Sequence, residues 1–196
     1  MDSDATVGKR MSHIDNYWSV QSATAAEGYI NTEEVELFLN GESLGRVKPD
    51  SGRISSELKH PPFTFNINSF EPGTLRAVGY LDGQQVAETQ RVTPADAAGL
   101  SLKIDESGKA LAAGQKDVVF VYTSVVDENG TTVPKDSSSV SFQVEGDAEL
   151  IGQNPINAEA GIATILLRAG DLGGTITIMA ESDGLGTTQE TVTIHE

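Results

Sequence analysis

The stretch EEVELFLNGESLG, residues 33–45, constrains the fold most, because it contains every part of a β-hairpin. Its first half places an aliphatic residue at every second position, the period that predicts a strand with one buried face. Asn40-Gly41 follows, and both residue types accept the positive φ that a type I′ turn requires. Residues 42–46 then predict a return strand, on which we expect Leu44 to reach the buried face.

Further strand and turn patterns extend this first domain. HPPFTFNI, residues 60–67, alternates apolar and polar side chains, and its prolines predict a strand that starts there and lies at an edge. Asp82-Gly83 predicts a second two-residue hairpin, with a loop-like polar stretch at residues 48–59 before it. We expect an antiparallel β domain at residues 21–94, after a poorly defined N-terminal segment at residues 1–20.

The small, turn-prone residues 94–99 (PADAAG) predict a boundary, with a second domain at residues 98–196. Seven short strands are predicted there, at 100–104, 118–126, 140–144, 149–151, 162–167, 175–180 and 190–194. Asp127–Gly130 predicts a turn, and Gly173-Gly174 predicts a hairpin turn. Strands at this spacing favour an immunoglobulin-like sandwich. Since no helical period persists, the predicted fold class is all-β, with two consecutive antiparallel β-sandwich domains.

Several of these motifs resemble a known family. ELFLNGESLG, HPPFTFNI and EPGTLRAVGYLDGQQVAE together resemble the domain that follows the catalytic barrel in many bacterial glycoside hydrolases of family 2, the β-galactosidase group. GLSLKI, KDVVFVYTSVVDENGTTVP and VSFQVEGDAELIG resemble the bacterial immunoglobulin-like domain that often comes next in those enzymes. One departure follows Ile151-Gly152, where QNPINAEAG replaces the short Asn-Gly turn common in that group, so no role of that loop is carried over.

The resemblance implies a non-catalytic C-terminal region of an exported β-galactosidase-type enzyme, periplasmic or at the cell surface. Its partner would be the catalytic barrel of the same chain, which it would brace, or whose substrate access it would shape. Two alternatives stay open: a carbohydrate-binding module, and an immunoglobulin-like spacer of a bacterial surface adhesin. A barrel encoded upstream favours the hydrolase, and repeated immunoglobulin-like units favour the adhesin.

We expect no catalytic residue in this chain. Retaining glycoside hydrolysis needs two carboxylates held about 5 Å apart. The resemblance implies that both are glutamates on a TIM barrel, one of them following an asparagine, whereas this sequence has no Asn-Glu pair and no alternating strand–helix pattern. The acidic pairs Glu33-Glu34 and Asp127-Glu128 fit solvated charges at a strand start and in a turn. A G-x-S-x-G nucleophile motif is also absent from the sequence.

The sequence also predicts no metal site and no cofactor. It has no cysteine, and its histidines, His13, His60 and His195, have no neighbour at ligand spacing. Residues 127–130 (DENG) could place oxygens around calcium, but they lack the D-x-D-x-D alternation and the distal glutamate of a dedicated loop. A hairpin turn explains them better.

The charge balance excludes another class of partner. There are 29 acidic and 13 basic side chains, for a net charge of −16, which repels the phosphates of nucleic acid and anionic lipid. No apolar run is long enough for membrane insertion. The first residues lack the apolar core of a signal peptide.

Sugar binding depends on exposed aromatic rings, which stack on pyranose faces. The sequence has one tryptophan and four tyrosines, and Tyr17-Trp18 is the candidate pair for such a platform. We expect this pair to pack against the sandwich or the barrel instead, and Tyr29, Tyr80 and Tyr122 to lie in or beside the core. With so little stacking surface, no measurable affinity for sugars is expected.

Overall fold

The computed structural model describes residues 26–28, 32–67 and 69–196. Within these residues the chain forms strands, turns and one short 3-10 turn at Ser55–Glu57, and it divides into two compact units between Thr93 and Pro94. The all-β prediction is confirmed. None of the helical segments in the described part is long and apolar enough to cross a bilayer.

The first unit contains one four-stranded and one two-stranded antiparallel sheet. Its strands are β1 (Ala26–Gly28), β2 (Glu34–Leu39), β3 (Glu42–Val47), β4 (Phe63–Phe65), β5 (Thr74–Leu81) and β6 (Gln84–Val92). The larger sheet has the order β3-β2-β5-β6, and β4 pairs with β1. Strand β4 therefore lies at a sheet edge, as its preceding prolines predict.

The predicted alternation along β2 creates the core of the first unit. The aliphatic residues of β2 are buried, and Phe63 of β4 is completely buried against them. Among the described residues, the buried members of this cluster are Val35, Leu37, Leu39, Phe63, Phe65, Leu75 and Ala77. Glu34, Glu36 and Phe38 lie on the opposite face, so one side of the sheet is apolar and the other is free for polar contacts.

Asn40 and Gly41 join β2 to β3 with φ values of 51° and 88°, which confirms the positive-φ turn. The side chain of Asn40 also crosslinks the turn to the start of β5. Its Oδ1 accepts the Thr74 N–H at 2.9 Å, and its Nδ2 donates to the Pro72 carbonyl at 3.1 Å. A Cβ on Gly73 would lie 1.7 Å from Asn40 Oδ1, so a side chain at position 73 excludes this arrangement.

The prediction that Leu44 returns to the buried face is wrong, because Leu44 is 44% exposed. A β-bulge causes the difference. Leu37 pairs with Gly45 and Phe38 pairs with Ser43, so Leu44 has no partner on β2 and the inside–outside alternation shifts there. Gly45 has a φ of 118°, a conformation that favours glycine at such a bulge.

The second unit is a sandwich of a five-stranded sheet, order β12-β10-β14-β15-β8, and a four-stranded sheet, order β11-β13-β9-β7. Its strands are β7 (Gly99–Asp105), β8 (Leu111–Ala112), β9 (Val118–Val126), β10 (Ser139–Glu145), β11 (Ala148–Ile151), β12 (Ile156–Asn157), β13 (Ile162–Ala169), β14 (Gly174–Ser182) and β15 (Gly186–His195). Every predicted strand is present. The two that sequence missed, β8 and β12, have two residues each, too few to show a period.

Both sheets of this sandwich contribute to one buried core. Val121 and Ile165 of the four-stranded sheet and Ile178 and Ile194 of the five-stranded sheet are buried in the same cluster. The pairing is antiparallel except between β8 and β15, which run parallel. The predicted immunoglobulin-like architecture is therefore confirmed, with one parallel pair at the edge of a sheet.

The prediction of a hairpin at Gly173-Gly174 is wrong. Strand β13, which precedes these glycines, belongs to the four-stranded sheet, and β14, which begins at Gly174, belongs to the five-stranded sheet. The chain crosses between sheets at this point. The hairpin lies one step later, where β14 and β15 pair up to Ser182 and Gly186. A Gly-Gly pair predicts a turn but not which strands the turn will pair.

Candidate binding surfaces

The residues that sequence offered as a sugar platform, Tyr17 and Trp18, lie outside the described residues, as do Tyr29 and His13. Their role stays a prediction. His60 and His195 lie in different units. Within the described ranges, no three His, Asp or Glu side chains come together as a group that could hold a metal ion.

Asp127 is a buried structural carboxylate and not a solvated charge. It is only 4% exposed, and its oxygens accept the backbone N–H groups of Ala95, Asn129 and Thr131 at 2.8–2.9 Å. The interpretation of Asp127 as a solvated charge is wrong, because its carboxylate is buried and accepts hydrogen bonds from backbone N–H groups instead of from water. Burial acts to raise the pKa of Asp127, but the hydrogen bonds together outweigh burial and hold that pKa below its usual value.

The other acidic pair, Glu33-Glu34, also has structural partners. The Glu33 carboxylate accepts the Asp82 N–H at 3.0 Å, which joins the start of β2 to the β5–β6 turn. Glu34 forms an ion pair with Arg46 at 2.9 Å across the β2–β3 hairpin. Both carboxylates therefore support the sheet of the first unit.

The outer face of the first unit carries two arginine–aromatic pairs, which we call the cation–aromatic face. The Arg46 guanidinium lies 3.6 Å from the centre of the Tyr80 ring, and the Arg76 guanidinium lies 4.2 Å from the centre of the Phe38 ring. These are cation–π distances. Each ring therefore has one face covered by a cation, which limits the surface left for a stacking ligand.

Glu36 connects the parts of the cation–aromatic face. Its carboxylate accepts the Ser43 hydroxyl at 2.6 Å and the Tyr80 hydroxyl at 3.0 Å. The Ser43 hydrogen bond lowers the pKa of Glu36 most, against an opposing effect of burial, and Tyr80 and the two arginines lower it further. Burial and the hydrogen bond to Glu36 raise the pKa of the Tyr80 phenol. The face is thus an ordered network whose polar groups have partners within the protein.

The outer face of the second unit carries a stacked pair, the exposed Phe120 and the half-buried Tyr122. Their ring centroids are 5.7 Å apart and their planes differ by 11°, an offset-stacked arrangement. Phe120 is 48% exposed, although β9 is an interior strand of its sheet. The sequence gives no reason to expect Phe120 at the surface, because it continues the apolar run of β9.

Hydrogen-bonding side chains lie beside both rings. In the strand register, Asp105 of β7 is opposite Phe120, and Lys103 is opposite Tyr122. On the other side, Thr164 of β13 is opposite Tyr122. Directly opposite residues share a face of the sheet, so these groups surround the rings. We call this set of five residues the Phe120 face.

A shallow cavity of about 230 Å³ adjoins the Phe120 face. It is lined by Asp105, Glu106, Ser107, Lys109, Leu111, Asp117, Val118, Val119 and Phe120. Lys109 Nζ donates to Asp117 at 2.8 Å, and this hydrogen bond is the main cause that lowers the pKa of Asp117. An aromatic wall and polar groups therefore meet in one depression.

A second depression, of about 300 Å³, lies between the β10–β11 turn and the segment after β13. Three of its charged side chains already have partners. Arg168 pairs with Glu149, and the Asp147 carboxylate accepts the Leu172 N–H at 2.6 Å. No aromatic ring lines it. Of the two depressions, the one beside Phe120 is better suited to a ligand.

Two family models match the chain, one in each unit. Residues 100–191 match the Glycoside hydrolase family 2 C-terminal domain 5, and residues 26–87 match a Domain of unknown function (DUF4982). The chain is similar to a β-galactosidase of Thermoanaerobacter pseudethanolicus, with 34% identity over 79% of this chain and 22% of the relative. It is also similar to the β-galactosidase BoGH2A of Bacteroides ovatus, with 31% identity over 77% of this chain and 17% of the relative.

Solved structures share the fold. A β-glycosidase from Bacteroides vulgatus superposes with a TM-score of 0.72 and 20% identity, over 93% of this chain and 24% of that one. A glycosyl hydrolase family 2 member from Bacteroides cellulosilyticus gives a TM-score of 0.70 and 22% identity, over 92% of this chain and 24% of that one. The chain spans about a fifth of the β-galactosidases of Thermoanaerobacter pseudethanolicus and Bacteroides ovatus, 22% and 17% of their lengths. The resemblance inferred from the hairpin and strand motifs is confirmed: the second unit matches a C-terminal domain of glycoside hydrolase family 2, the first unit matches DUF4982, and most of the chain is similar to β-galactosidases.

Proposed function

We propose that this chain is the non-catalytic C-terminal region of an exported family 2 glycoside hydrolase of β-galactosidase type. It supports the catalytic barrel of the same chain or shapes the access of substrate to it. The observation that carries the proposal is the short share of the relatives' length that the chain spans, 22% and 17% for two β-galactosidases. The much longer remainder of such an enzyme would contain the barrel and both catalytic glutamates.

The positions of the acidic side chains support a structural role. Glu36 and Asp127, two carboxylates with lowered pKa values, accept hydrogen bonds from the protein's own hydroxyl and N–H groups. A general acid needs the opposite perturbation, a raised pKa that keeps its proton near neutral pH. Neither residue has the protonation behaviour of that role.

The cation–aromatic face supports contact with another protein surface. Tyrosine, phenylalanine and arginine are enriched at protein interfaces relative to the rest of the surface. Here the rings of Phe38 and Tyr80 are held by Arg76 and Arg46 without a partner being needed to order them. A pre-ordered surface loses less side-chain entropy on association. We assign this face to contact with the rest of the parent enzyme.

The proposal includes the domain bounds expected from sequence, with independent units at residues 21–94 and 98–196. The segment at 1–20 lies outside the described residues. Each proposed unit has its own buried cluster, one around Phe63 and one around Ile178. Separate cores are what allow two domains to unfold separately.

Two experiments test the accessory role. The purified chain should not hydrolyse nitrophenyl β-galactoside, and turnover that disappears on substitution of one Asp or Glu would overturn the proposal. In a parent enzyme, Arg46→Ala with Arg76→Ala should lower the thermal stability of the catalytic region. The matched control is Lys48→Ala with Lys59→Ala, which also removes two exposed cations from the first unit but outside the cation–aromatic face. Equal effects of the two double variants would contradict the assignment of the cation–aromatic face.

A further inference from the structure

We infer that the second unit binds a neutral hexopyranose in the cavity beside Phe120, with the sugar ring stacked on the exposed Phe120 ring. This inference goes beyond the accessory role, since it assigns the second unit a ligand of its own. It rests on three features of the Phe120 face: a free aromatic surface, hydrogen-bonding groups around it, and a cavity of limited size and negative charge.

The aromatic surface is rigid. Phe120 is 48% exposed, and Tyr122 stacks behind it at a centroid distance of 5.7 Å. The ring stands on β9, which is hydrogen-bonded to β7 on one side and to β13 on the other. Because the sheet and the stacked neighbour already fix the ring, binding loses little side-chain entropy there. Phe120 also lines the cavity with Val118, and we place the sugar against its exposed side chain.

The polar groups in the cavity match the chemistry of sugar hydroxyls, which donate and accept hydrogen bonds. One oxygen of the Asp105 carboxylate accepts the Ser107 N–H at 2.9 Å, and the described residues give the second oxygen no hydrogen-bond partner. That oxygen can accept a hydroxyl. Lys109 uses one of its three N–H donors on Asp117 and can donate another. A stacked ring with a carboxylate and an ammonium at its edge fixes both the face and the orientation of a pyranose.

The size and charge of the cavity define the ligand class. At about 230 Å³ it falls below the roughly 300–1,000 Å³ typical of pockets for drug-sized ligands, which favours a single sugar ring. Three carboxylates line it, those of Asp105, Glu106 and Asp117, against the ammonium of Lys109. This excess of negative charge disfavours a uronic acid. We therefore assign a neutral hexose, free or at the end of a glycan.

The expectation of no sugar affinity rested on a count of tryptophan and tyrosine. That count left out phenylalanine, and Phe120 is an exposed aromatic ring that stacks with Tyr122 and lines the cavity. The structure adds Phe120 to the available stacking surface, and this is why the inference differs from the expectation.

The test uses the 196-residue chain and ligand-observed saturation-transfer NMR, with titration to obtain Kd. Methyl β-galactoside and methyl β-glucoside are the neutral probes, and glucuronate is the anionic probe. We expect a Kd on the order of 1–10 mM for at least one neutral probe, typical of a small exposed site, and at least about tenfold weaker binding of glucuronate. Phe120→Ala should weaken binding at least about tenfold, whereas Phe120→Trp, which retains a stacking ring, should preserve it.

Leu172→Ala is the matched control, because it removes an exposed apolar side chain from the same unit outside the cavity. It should bind as the unsubstituted chain does. Thermal transitions of every variant check that the second unit stays folded. The inference would be overturned if neither neutral sugar showed saturation transfer. It would also be overturned if the Phe120→Ala variant bound sugar as tightly as the unsubstituted chain, or if the Trp18→Ala variant lost binding. A last outcome would also overturn the inference: neither the unsubstituted chain nor the Phe120→Ala variant binds sugar, and the substitution weakens association with the catalytic region. The Phe120 face would then be a protein contact. A negative result in the sugar-binding experiment does not change the expected result of the nitrophenyl β-galactoside assay. The inference can therefore be refuted while the proposed accessory role stands.

Discussion

Replacing both turn residues of the first hairpin, with Asn40→Val and Gly41→Val, should destabilise the first unit selectively. The native φ values are 51° and 88°, and a β-branched residue in this region costs about 1–2 kcal/mol at each position. Losing the hydrogen bond from the Thr74 N–H to Asn40 Oδ1 adds about 1 kcal/mol. The expected loss of unfolding free energy is therefore about 3–5 kcal/mol, a large share of what a small domain has.

Differential scanning calorimetry of the whole chain measures this loss. We expect the transition of the first unit to fall by well over 10 °C, by the relation between free energy and Tm for a domain of this size, about 4–8 °C per kcal/mol. The transition of the second unit should stay in place. Gly184→Val is the reciprocal control, because Gly184 has a φ of 77° in the β14–β15 turn and nothing within contact distance of an added Cβ. It should lower the second transition alone. Equal shifts of both transitions in either variant would show one cooperative unit and refute the division near Pro94.

Three other perturbations should follow the contacts described above. Phe63→Ala empties a completely buried site and should cost the first unit about 3–5 kcal/mol by calorimetry, and a loss below 1 kcal/mol would contradict its place in the core. Asn154→Ala removes the amide that accepts the Phe142 N–H and donates to the Phe142 carbonyl, at 2.9 and 2.7 Å, and should cost the second unit about 1–3 kcal/mol. The lowered pKa of Asp127 means that its carboxylate stabilises the second unit above its unfolded pKa of about 3.9, and that this stability is lost as the pH falls through the folded pKa. Thermal melts from pH 7 to pH 2 should show the loss of stability beginning near pH 4. The Asp127→Asn variant should be less stable at pH 7 but lose less stability on acidification. Parallel plots of stability against pH for the two proteins would count against this role.

The strands and two of the turns could be predicted because their signals are local. The aliphatic period of β2 and the dipeptides Asn40-Gly41 and Asp82-Gly83 determine strand faces and positive-φ turns within a few residues. The pairing of strands could not be predicted in the same way. At Gly173-Gly174 the chain passes from one sheet to the other. Which sheet β14 joins depends on the strands that are available to pair with it, and β10, one of its two partners, lies about 30 residues earlier in the chain.

The candidate surfaces were harder to predict for a related reason. Asp127 looks like a solvated turn residue unless the N–H of Ala95, 32 positions earlier, is known to reach it. Phe120 continues the pattern of a buried strand, yet among the described residues its side chain lies at the surface. Leu44 fails through a bulge that shifts its alternation by one residue. For Asp127 a contact with a distant residue decided the outcome, whereas for Leu44 a bulge within the hairpin did.

The close approach of Asn40 to Gly73 has an evolutionary consequence. Gly73 has a φ of 142°, so its backbone favours glycine even apart from the 1.7 Å clash that an added Cβ would make with Asn40 Oδ1. The dependence between the two positions is therefore one-directional: glycine at 73 permits asparagine at 40, but asparagine is not what makes glycine necessary. Among descendants of a common ancestor, position 40 can change while Gly73 stays. The combination of Asn40 with any side chain at position 73 should be missing from the lineage.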